Sequence, residues 1–584
     1  MSSPRATLAS TYIPAIDGLR AVAVFAVLLY HLGVKWLPGG FLGVDLFFVI
    51  SGYVITRVIL DSIQSANGLD LREFYYGRVR RLYPGLLLLI MVTTVLAATI
   101  APDAIRRIVQ DVPYVLTGTN NWHLVAIHQD YFQTVGRAPM LQHTWSLAVE
   151  AQFYLIWPIT LVAIWKRYGK GRIARVALAI AMISGAALFA FSLQLDNATA
   201  GRISHIYFGS DTHSLGLFLG AALGVSWIPQ NLTGAISKRA QDFIDGIGMF
   251  GLFGILCTFL FISESNATLY RLAFPLAGIF GCATLISIVH PASRFAPILS
   301  TRPLLWIGQR SYGIYLWHWV IFQVTRPSID LAGSEISLDL ARTLLVLICA
   351  DISLRYIEIP IRRGTVQNWL RGMKYRTKIM RRRQRIFVAT CLTLAIAITS
   401  GATATAWYRD THTTIVAKNE LTLVPSQINT AKTGLWVTGD SVILGIRIKL
   451  AKTQDIALIN ARIGRQLPEL IDAVKTDQPM VAHATVVLDV GNNNRITKED
   501  MTTLMELLKN QPKIVLVNTA VPRLWRDDNN RIIREVIANY PQTTLVDWSG
   551  ISANHPEFFA PDGVHLIDAG SDVYVAAILD ALNK

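Results

Sequence analysis

The sequence predicts a multi-span α-helical membrane bundle of about ten spans plus one linking span, followed by an α/β/α domain outside the membrane. Ten Lys or Arg residues and no acidic residue lie between Arg362 and Arg385, and an uncharged apolar run follows from Ile386 to Trp407. At about 1.5 Å per residue, this run reaches roughly 33 Å and can cross a bilayer. The chain before it is rich in apolar runs, and the chain after it alternates strand and helix patterns.

The composition is that of an integral membrane protein. Of the 584 residues, 52% are hydrophobic and 16% are charged, and the mean hydropathy is +0.40. The net charge of +15 comes from basic loops between apolar runs, so we expect no nucleic-acid partner. All four cysteines lie within apolar spans, which predicts neither a disulfide framework nor a zinc site outside the membrane.

We predict eleven spans, which in chain order cover residues 16–37, 41–60, 84–101, 145–165, 173–193, 212–228, 244–262, 271–290, 311–327, 338–358 and 386–407. The loops after the even-numbered spans are basic, which places them in the cytoplasm. The chain is therefore expected in the cell membrane, with everything after Tyr408 outside the cell. The predicted domains are a membrane domain (12–365), a basic linker with the eleventh span (366–408), a polar tether (409–430) and an exterior domain (431–584).

Ionisable side chains inside spans are costly and are therefore candidates for function. Arg20 and His31 in the first span are eleven residues apart, about three helical turns, so they share one face roughly 16 Å apart. Other spans carry Asp45, Glu150, Tyr315 and His318. The alternative for each is a charge pair that only fixes helix packing. Their occurrence on several spans favours a polar cavity or tunnel.

Arg78 and Arg81 lie three residues apart at the expected cytoplasmic edge. Their guanidinium groups match phosphate oxygens in geometry, which predicts a phosphate-binding site. The alternative is ordinary positive charge on a cytoplasmic loop.

The C-terminal part alternates strands and helices. Strand patterns cover 435–439, 484–490, 513–521 and 543–548, and helical patterns lie between them, as at 498–509 and 528–539. This alternation predicts a parallel sheet with helices on both faces. Its length suffices for one well-buried domain.

Polar motifs follow the predicted strands, where open parallel sheets place their sites. Ser441 follows the first strand, and Asp562 and His565 follow the last. His565 could take the proton of the Ser441 hydroxyl while Asp562 orients the imidazole. Gly464, Asn493 and the backbone N–H of Ser441 are candidate donors to an oxyanion. Alone, Gly-Asp-Ser is a common turn, Asp-Gly-x-His is typical of a solvated loop and Gly-x-Asn is a weak signal, but all of them in this order favour an acyl-transfer site.

The membrane half resembles the acyltransferase-3 family. Across about residues 12–365, the family's order is followed by Arg20 with His31, Gly-Val-Asp45-Leu-Phe-Phe-Val-Ile-Ser-Gly, Arg78-Val-Arg-Arg81, His143-Thr-Trp-Ser-Leu-Ala-Val-Glu150 and Tyr315-Leu-Trp-His318. The resemblance implies a ten-span bundle that takes an acyl group, usually acetyl, from cytoplasmic acetyl-CoA and passes it outward. It implies an acid/base or relay role for His31, a place near the CoA phosphates for the three arginines, and a membrane site containing the remaining motif residues. One departure is His213, where the family often has Arg.

The exterior blocks resemble the SGNH hydrolase superfamily, whose Ser, Gly, Asn and His blocks match Ser441, Gly464, Asn493 and His565. Over roughly 434–575, longer stretches such as Gly-Asp-Ser-Val-Ile-Leu-Gly resemble the exterior domain of Gram-positive peptidoglycan O-acetyltransferases. The resemblance implies an SGNH-hydrolase-like α/β/α fold. The Asn-Asn-Asn after Gly491 departs from the usual Gly-Thr-Asn.

Together the resemblances imply a cell-surface O-acetyltransferase with acetyl-CoA as the donor substrate, no bound cofactor and no metal. Ser441 would carry acetyl and pass it to the C6 hydroxyl of N-acetylmuramic acid in peptidoglycan, protecting the wall from lysozyme-type glycosidases. A different acceptor would be another surface polysaccharide or a glycolipid. The competing hypotheses are an SGNH esterase, which has no need of an acetyl-CoA entry route, and a transporter or scaffold with an inactive exterior domain.

Overall fold

The computed structural model describes residues 12–34, 36–65, 68–101, 104–127, 129, 137–193, 200–262, 269–326, 335–421, 434–462, 465–523, 525–559 and 563–584. Two residues that the sequence singles out, Gly464 and Asp562, lie outside this part of the chain. The chain divides into two compact units, and the main boundary between them follows Ala406.

The first unit is helical. Its helices through α9 are α1 Pro14–His31, α2 Gly43–Gln64, α3 Leu71–Thr99, α4 Ile105–Thr117, α5 Asn120–Ala126, α6 Trp145–Tyr168, α7 Gly171–Ser192, α8 Ala200–Phe208 and α9 Ser210–His213. The next nine are α10 Leu215–Ser226, α11 Lys238–Phe261, α12 Phe274–Val289, α13 Ala296–Leu299, α14 Arg302–Val324, α15 Glu335–Ile352, α16 Ile359–Arg362, α17 Thr365–Gly372 and α18 Lys378–Leu421.

Several of these helices can cross a membrane. Within the described part of the chain, seven are long and apolar enough, at Pro14–His31, Gly40–Gln64, Leu71–Thr99, Gln142–Tyr168, Gly171–Ser192, Lys238–Phe261 and Arg271–Val289. Each coincides with a predicted span. The other four predicted spans fall on α10, α14, α15 with the turn after it, and α18. The total of eleven spans stays a prediction.

The helix boundaries differ from the sequence prediction in three places. Helix α3 begins at Leu71 because the Asp70 side chain accepts hydrogen bonds from the N–H groups of Arg72 and Glu73, at 2.9 and 3.2 Å. Arg78 and Arg81 therefore lie on a helix rather than in a loop. Helices α4 and α5 occupy a segment with no predicted element. Helix α18 continues to Leu421, so the predicted polar tether is helical up to that residue.

Glycines let α1 approach its neighbours closely. A Cβ on Gly308 of α14 would lie 1.8 Å from the backbone oxygen of Asp17, and one on Gly18 would lie 1.7 Å from that of Leu299. This close packing of α1 against α14 places the end of α1, at His31, beside the C-terminal half of α14.

The second unit contains the predicted parallel sheet with helices on both faces. Its elements are β1 Leu435–Gly439, α19 Ser441–Ala451, β2 Ile456–Ala461, α20 Leu467–Asp477, β3 Thr485–Asp489, α21 Lys498–Leu508, β4 Ile514–Val517, α22 Arg526–Ile537, β5 Thr543–Val546, α23 Trp548–Ile551 and α24 Asp568–Asn583. The strand order is β2-β1-β3-β4-β5, all parallel. Strand β2 was not among the predicted strands.

Alternate side chains of the sheet enter two apolar layers. Trp436 packs in one layer with residues of α20, α21 and α22, whereas Val437 packs in the other with residues of α19 and α24. The strand order reverses between β1 and β3, and the crevice at such a switch point is where open α/β sheets bind ligands. Ser441 follows β1 and Asn493 follows β3, so both lie at this point.

Candidate active site

Ser441 and His565 form a hydrogen-bonded pair. Ser441 is the first residue of α19, and its Oγ lies 2.9 Å from His565 Nε2. The turn before His565 contains Gly563 at φ 68°, a left-handed conformation that favours glycine, where a Cβ would also lie 2.8 Å from Pro522 Cγ. An imidazole nitrogen at this distance can take the serine proton and so activate the hydroxyl as a nucleophile.

Two other members of the predicted site, Asp562 and Gly464, lie outside the described residues. Their roles as the residue that orients His565 and as an oxyanion donor therefore stay predictions. Ser441 begins a helix, where backbone N–H groups lack intrahelical partners, so its N–H is a suitable oxyanion donor.

Asn493 lies beside the turn that carries Asp440 and Ser441, but its amide is already engaged. Its Nδ2 donates to Asp440 Oδ2 at 2.6 Å and to the Arg465 backbone oxygen at 3.2 Å. Its Oδ1 is buried and has no hydrogen-bond partner within the described part of the chain. An amide nitrogen carries two hydrogens, so Asn493 must exchange one of these bonds before it can donate to an oxyanion.

A buried acid that the sequence did not single out supports this turn. Asp489 ends β3, and its Oδ1 accepts from the Asp440 backbone N–H at 3.2 Å while its Oδ2 accepts from Asn492 Nδ2 at 3.1 Å. The Asp440 carboxylate in turn accepts from the Val442 N–H at 2.9 Å and caps α19. The two acids thus tie the turn that carries Ser441 to the turn after β3.

Burial changes the acidity of these groups. It raises the pKa of Asp489 well above its ordinary value, and the negative charge of Asp440 raises it further. Burial also raises the pKa of Asp440. The Tyr574 hydroxyl faces the same pair, and burial together with the two carboxyl groups raises its pKa well above the ordinary value. The only sequence signal for Asp489 was an acidic residue at the end of an apolar strand.

In the first unit, the structure brings together four residues from three motifs. His318 Nε2 lies 3.2 Å from His31 Nδ1, and the ring of His143 lies 5.9 Å from that of His318. The Tyr315 hydroxyl donates to the backbone oxygen of His143 at 2.7 Å. All four are largely or partly buried, on α1, α14 and the turn before α6. We call these four residues the histidine cluster.

Asp45 and Glu150 have partners of their own. Asp45 Oδ1 lies 3.0 Å from Nε2 of His213, the residue at which the sequence departs from the family pattern. Glu150 accepts hydrogen bonds from Ser51 and, at 3.2 Å, from Tyr154. Sequence reasoning did not select Ser51 or Tyr154, since a hydroxyl in a span carries no charge signal.

Arg20 and Arg81 line a common cavity at the N-terminal end of α1. It is also lined by the charged groups Asp17, Arg57 and Asp61. Arg20 Nη1 contacts Asp17 Oδ1 at 3.0 Å. The cavity therefore combines three guanidinium groups with two carboxylates, a net positive lining suited to an anion.

Arg78 lies one turn before Arg81 on α3, outside the lining of that cavity. Its guanidinium carbon lies 5.2 Å from the centre of the Phe74 ring. Its Nε is buried and lacks a hydrogen-bond partner among the residues that the structure describes. Such a donor is available to a ligand phosphate.

The comparisons with known proteins cover both halves of the chain. A family described as an acyltransferase domain (acyltransferase-3) matches residues 13–354, more than half of the chain. The peptidoglycan O-acetyltransferase OatA of Listeria monocytogenes is 30% identical over 98% of each chain. The O-acetyltransferase OatA of Staphylococcus aureus is 32% identical over 100% of this chain and 97% of its own.

A solved structure also matches part of the chain. It is the C-terminal catalytic domain of the Streptococcus pneumoniae peptidoglycan O-acetyltransferase A, 26% identical, covering 26% of this chain and 92% of that domain with a TM-score of 0.23. The family match and the two full-length relatives confirm the resemblance that the motifs indicated. The chain therefore belongs to the acyltransferase-3 family, and it is an acyltransferase.

Proposed function

We propose that the enzyme takes acetyl from cytoplasmic acetyl-CoA, moves it across the membrane and transfers it through Ser441 to the C6 hydroxyl of N-acetylmuramic acid in peptidoglycan. The observation that carries this proposal is the 2.9 Å contact of His565 Nε2 with Ser441 Oγ, in a chain whose first part is an acyltransferase domain. A relative that aligns along nearly the whole chain is a peptidoglycan O-acetyltransferase, which supports this acceptor.

In the exterior domain, His565 would act twice. It takes the Ser441 proton as Oγ attacks the carbonyl carbon of the delivered acetyl group. It then returns that proton to the group that delivered acetyl, which leaves as the tetrahedral intermediate collapses. The sugar hydroxyl then gives its proton to His565 and attacks the acetyl-serine. The bond between the acetyl carbonyl carbon and Ser441 Oγ breaks, Oγ takes the proton back from His565, and the acetylated sugar leaves. The Ser441 N–H would stabilise both oxyanions.

In the membrane domain, the cavity lined by Arg20 and Arg81 would bind the phosphates of CoA. Guanidinium groups form paired hydrogen bonds with phosphate oxygens, and Arg78 offers a further buried donor one turn away. His31, about 16 Å along α1 from Arg20, would act on the thioester as acid/base or as an acyl relay.

An acceptor groove that excludes water would make this enzyme a transferase rather than an esterase. Acetyl on Ser441 is equally open to water and to sugar unless water is kept away. Transfer to another surface polysaccharide or to a glycolipid would use the same chemistry, since the triad does not recognise the acceptor. Hydrolysis would release free acetate, whereas transfer to a different acceptor would give an acetylated polysaccharide or glycolipid. Wall acetylation would in turn protect the cell from lysozyme-type glycosidases.

The test uses the full-length chain in membrane vesicles, supplied with labelled acetyl-CoA and peptidoglycan fragments. Mass spectrometry of the glycan is compared among the wild type, Ser441→Ala and the control Ser549→Ala, a serine on the short helix α23. Acetyl on muramic acid that requires Ser441 supports the proposal. Serine-dependent release of acetate without acetylated sugar would instead make the enzyme an esterase.

A further inference from the structure

Hydrogen-bond geometry in the histidine cluster determines which ring nitrogen carries each proton. A neutral imidazole has one N–H donor and one lone-pair acceptor, so a nitrogen that faces a carbonyl oxygen must be the donor. The three histidines come from three different elements, which makes the cluster a product of the fold rather than of one motif.

His318 is the ring whose state is fixed first. Its Nδ1 lies 2.7 Å from the backbone oxygen of Tyr315, an atom that can only accept. The proton of neutral His318 is therefore on Nδ1, and its Nε2 carries a lone pair. The ring is 1% exposed, so water does not compete for that lone pair.

The state of His31 follows from that of His318. His318 Nε2 lies 3.2 Å from His31 Nδ1, and a hydrogen bond between two nitrogens needs one proton. Because the His318 nitrogen is the acceptor, His31 Nδ1 is the donor. The lone pair of neutral His31 is then on Nε2. A ring nitrogen of His31 with a lone pair is what either an acid/base or a relay role requires.

We propose that His318 is a positioning residue that holds His31 in its Nδ1–H form, so that Nε2 of His31 is the reacting atom. The inference rests on the proposed function, because it concerns the atom through which His31 would act. When Nε2 gains a proton or an acetyl group, His31 becomes cationic and its Nδ1–H becomes a stronger donor. His318 Nε2 then stabilises that charge without changing its own protonation state.

His143 is anchored in a comparable way, which shows that α14 orients two rings through its carbonyl oxygens. Its Nε2 lies 3.1 Å from the backbone oxygen of Leu316, so its lone pair is on Nδ1. That Nδ1 is buried and has no hydrogen-bond partner among the described residues. Since neither ring nitrogen of His143 is the acceptor for His31 Nδ1, replacing His143 does not remove the acceptor that the proposal needs.

Two substitutions of His318 separate positioning from packing. In His318→Gln the side-chain amide oxygen can lie near the former Nε2 and accept from His31, whereas in His318→Met an apolar chain of similar length cannot. We expect His318→Met to lower the turnover rate of acetyl transfer from acetyl-CoA about a hundredfold, with little change in KM. The turnover rate of His318→Gln should be at least about tenfold higher than that of His318→Met. The control is His290→Gln, outside the cluster, where Nδ1 accepts from the Ala292 N–H at 3.1 Å; it should transfer acetyl like the wild type.

A second measurement reads the proton directly. Nitrogen NMR of the full-length chain in detergent, labelled with ¹⁵N at histidine and assigned by the His31→Gln difference, distinguishes the two neutral forms. We expect the Nδ1–H form for His31 in the wild type and its loss in His318→Met.

The outcomes of these measurements are distinct. Equal loss of activity in the Met and Gln variants, or an Nε2–H form of His31 in the wild type, would overturn the proposal. Retention of acetyl transfer by His31→Gln would instead remove His31 from the proposed function, whatever proton state the spectrum reports.

Discussion

Gly439 and Asp489 occupy one space between two neighbouring strands: a Cβ on Gly439 would lie 2.2 Å from Asp489 Oδ1. The carboxyl group thus fills the place of a side chain directly before the turn that carries Ser441. From there it accepts the Asp440 N–H at 3.2 Å, so the path of the chain into Ser441 depends on this fit.

Gly439→Ala should therefore weaken both the exterior domain and its chemistry. The added methyl must displace a buried carboxyl group, and overpacking of this kind costs about 1–3 kcal/mol in the free energy of unfolding. Pulse proteolysis of the full-length chain in urea, followed through a C-terminal tag, measures that loss. Gly445→Ala is the matched control, since a Cβ there meets nothing within 4 Å. Equal stability of the two variants would contradict the fit.

The buried acid predicts a pH dependence of stability. The raised pKa of Asp489 means that the folded chain keeps a proton that an unfolded carboxyl loses near about pH 4. Unfolding then releases a proton, so the free energy of unfolding falls as the pH rises from about 4 toward the folded-state pKa. The groups that face Asp489 are Asp440, Arg465 and Tyr574, and Asp440 adds to this effect because burial raises its pKa too.

Asp489→Asn removes that titration and should make the fall of stability with pH shallower. Pulse proteolysis at several pH values between 5 and 8 compares the slopes. Asp472→Asn, at an exposed carboxyl on α20, should keep the slope of the wild type. A slope that is unchanged in Asp489→Asn would show that this carboxyl does not hold the proton.

His565→Gln should lower acetyl transfer to glycan by roughly a thousandfold or more, because the Ser441 hydroxyl loses its base. The control is His555→Gln, an exposed histidine in the same domain that pairs with Glu557. Transfer rates from labelled acetyl-CoA measure both variants. If His555→Gln lost as much activity as His565→Gln, the histidine at 2.9 Å from Ser441 would have no special role.

Arg81→Gln should raise the KM for acetyl-CoA about tenfold, since a charge-assisted hydrogen bond to phosphate is lost. Arg80→Gln is the control on the same helix, because Arg80 Nη1 already donates to Gln367 Oε1 at 2.8 Å, away from the cavity lining. Initial rates across acetyl-CoA concentrations give both constants. Equal KM values for the two variants would argue against phosphate binding at Arg81.

The sequence predicted candidate site residues where ionisable side chains lie within apolar runs or where polar motifs follow strands in a characteristic order. Buried histidines within apolar runs identified His31 and His318, and the motif order identified Ser441 with His565. Their distances could not be predicted, because the meeting of α1 with α14 depends on a tight approach at Gly308 that has no signal of its own.

Other features were missed for equally local reasons. In the sequence, Asp489 is only an acidic residue at the end of an apolar strand. Its partners are a backbone N–H and a side-chain amide, and their positions follow only from the folded turns. The start of α3 was placed too late because the apolar pattern begins after the helix does, and the cap at Asp70 was overlooked. The engaged amide of Asn493 depends on the side-chain geometry of two turns, which no pattern encodes.

In the proposed function, acetyl travels from acetyl-CoA to Ser441 within one chain. Labelled acetyl-CoA is enclosed in sealed vesicles whose outer face carries the exterior domain of the full-length enzyme, without glycan. The peptide that contains Ser441 is then analysed by digestion and mass spectrometry. We predict a labelled acetyl group on Ser441 that is absent in His31→Gln and that disappears when peptidoglycan fragments are added. Acetylated glycan formed by an enzyme that carries no acetyl on Ser441, or formed by Ser441→Ala, would show that acetyl does not pass through Ser441.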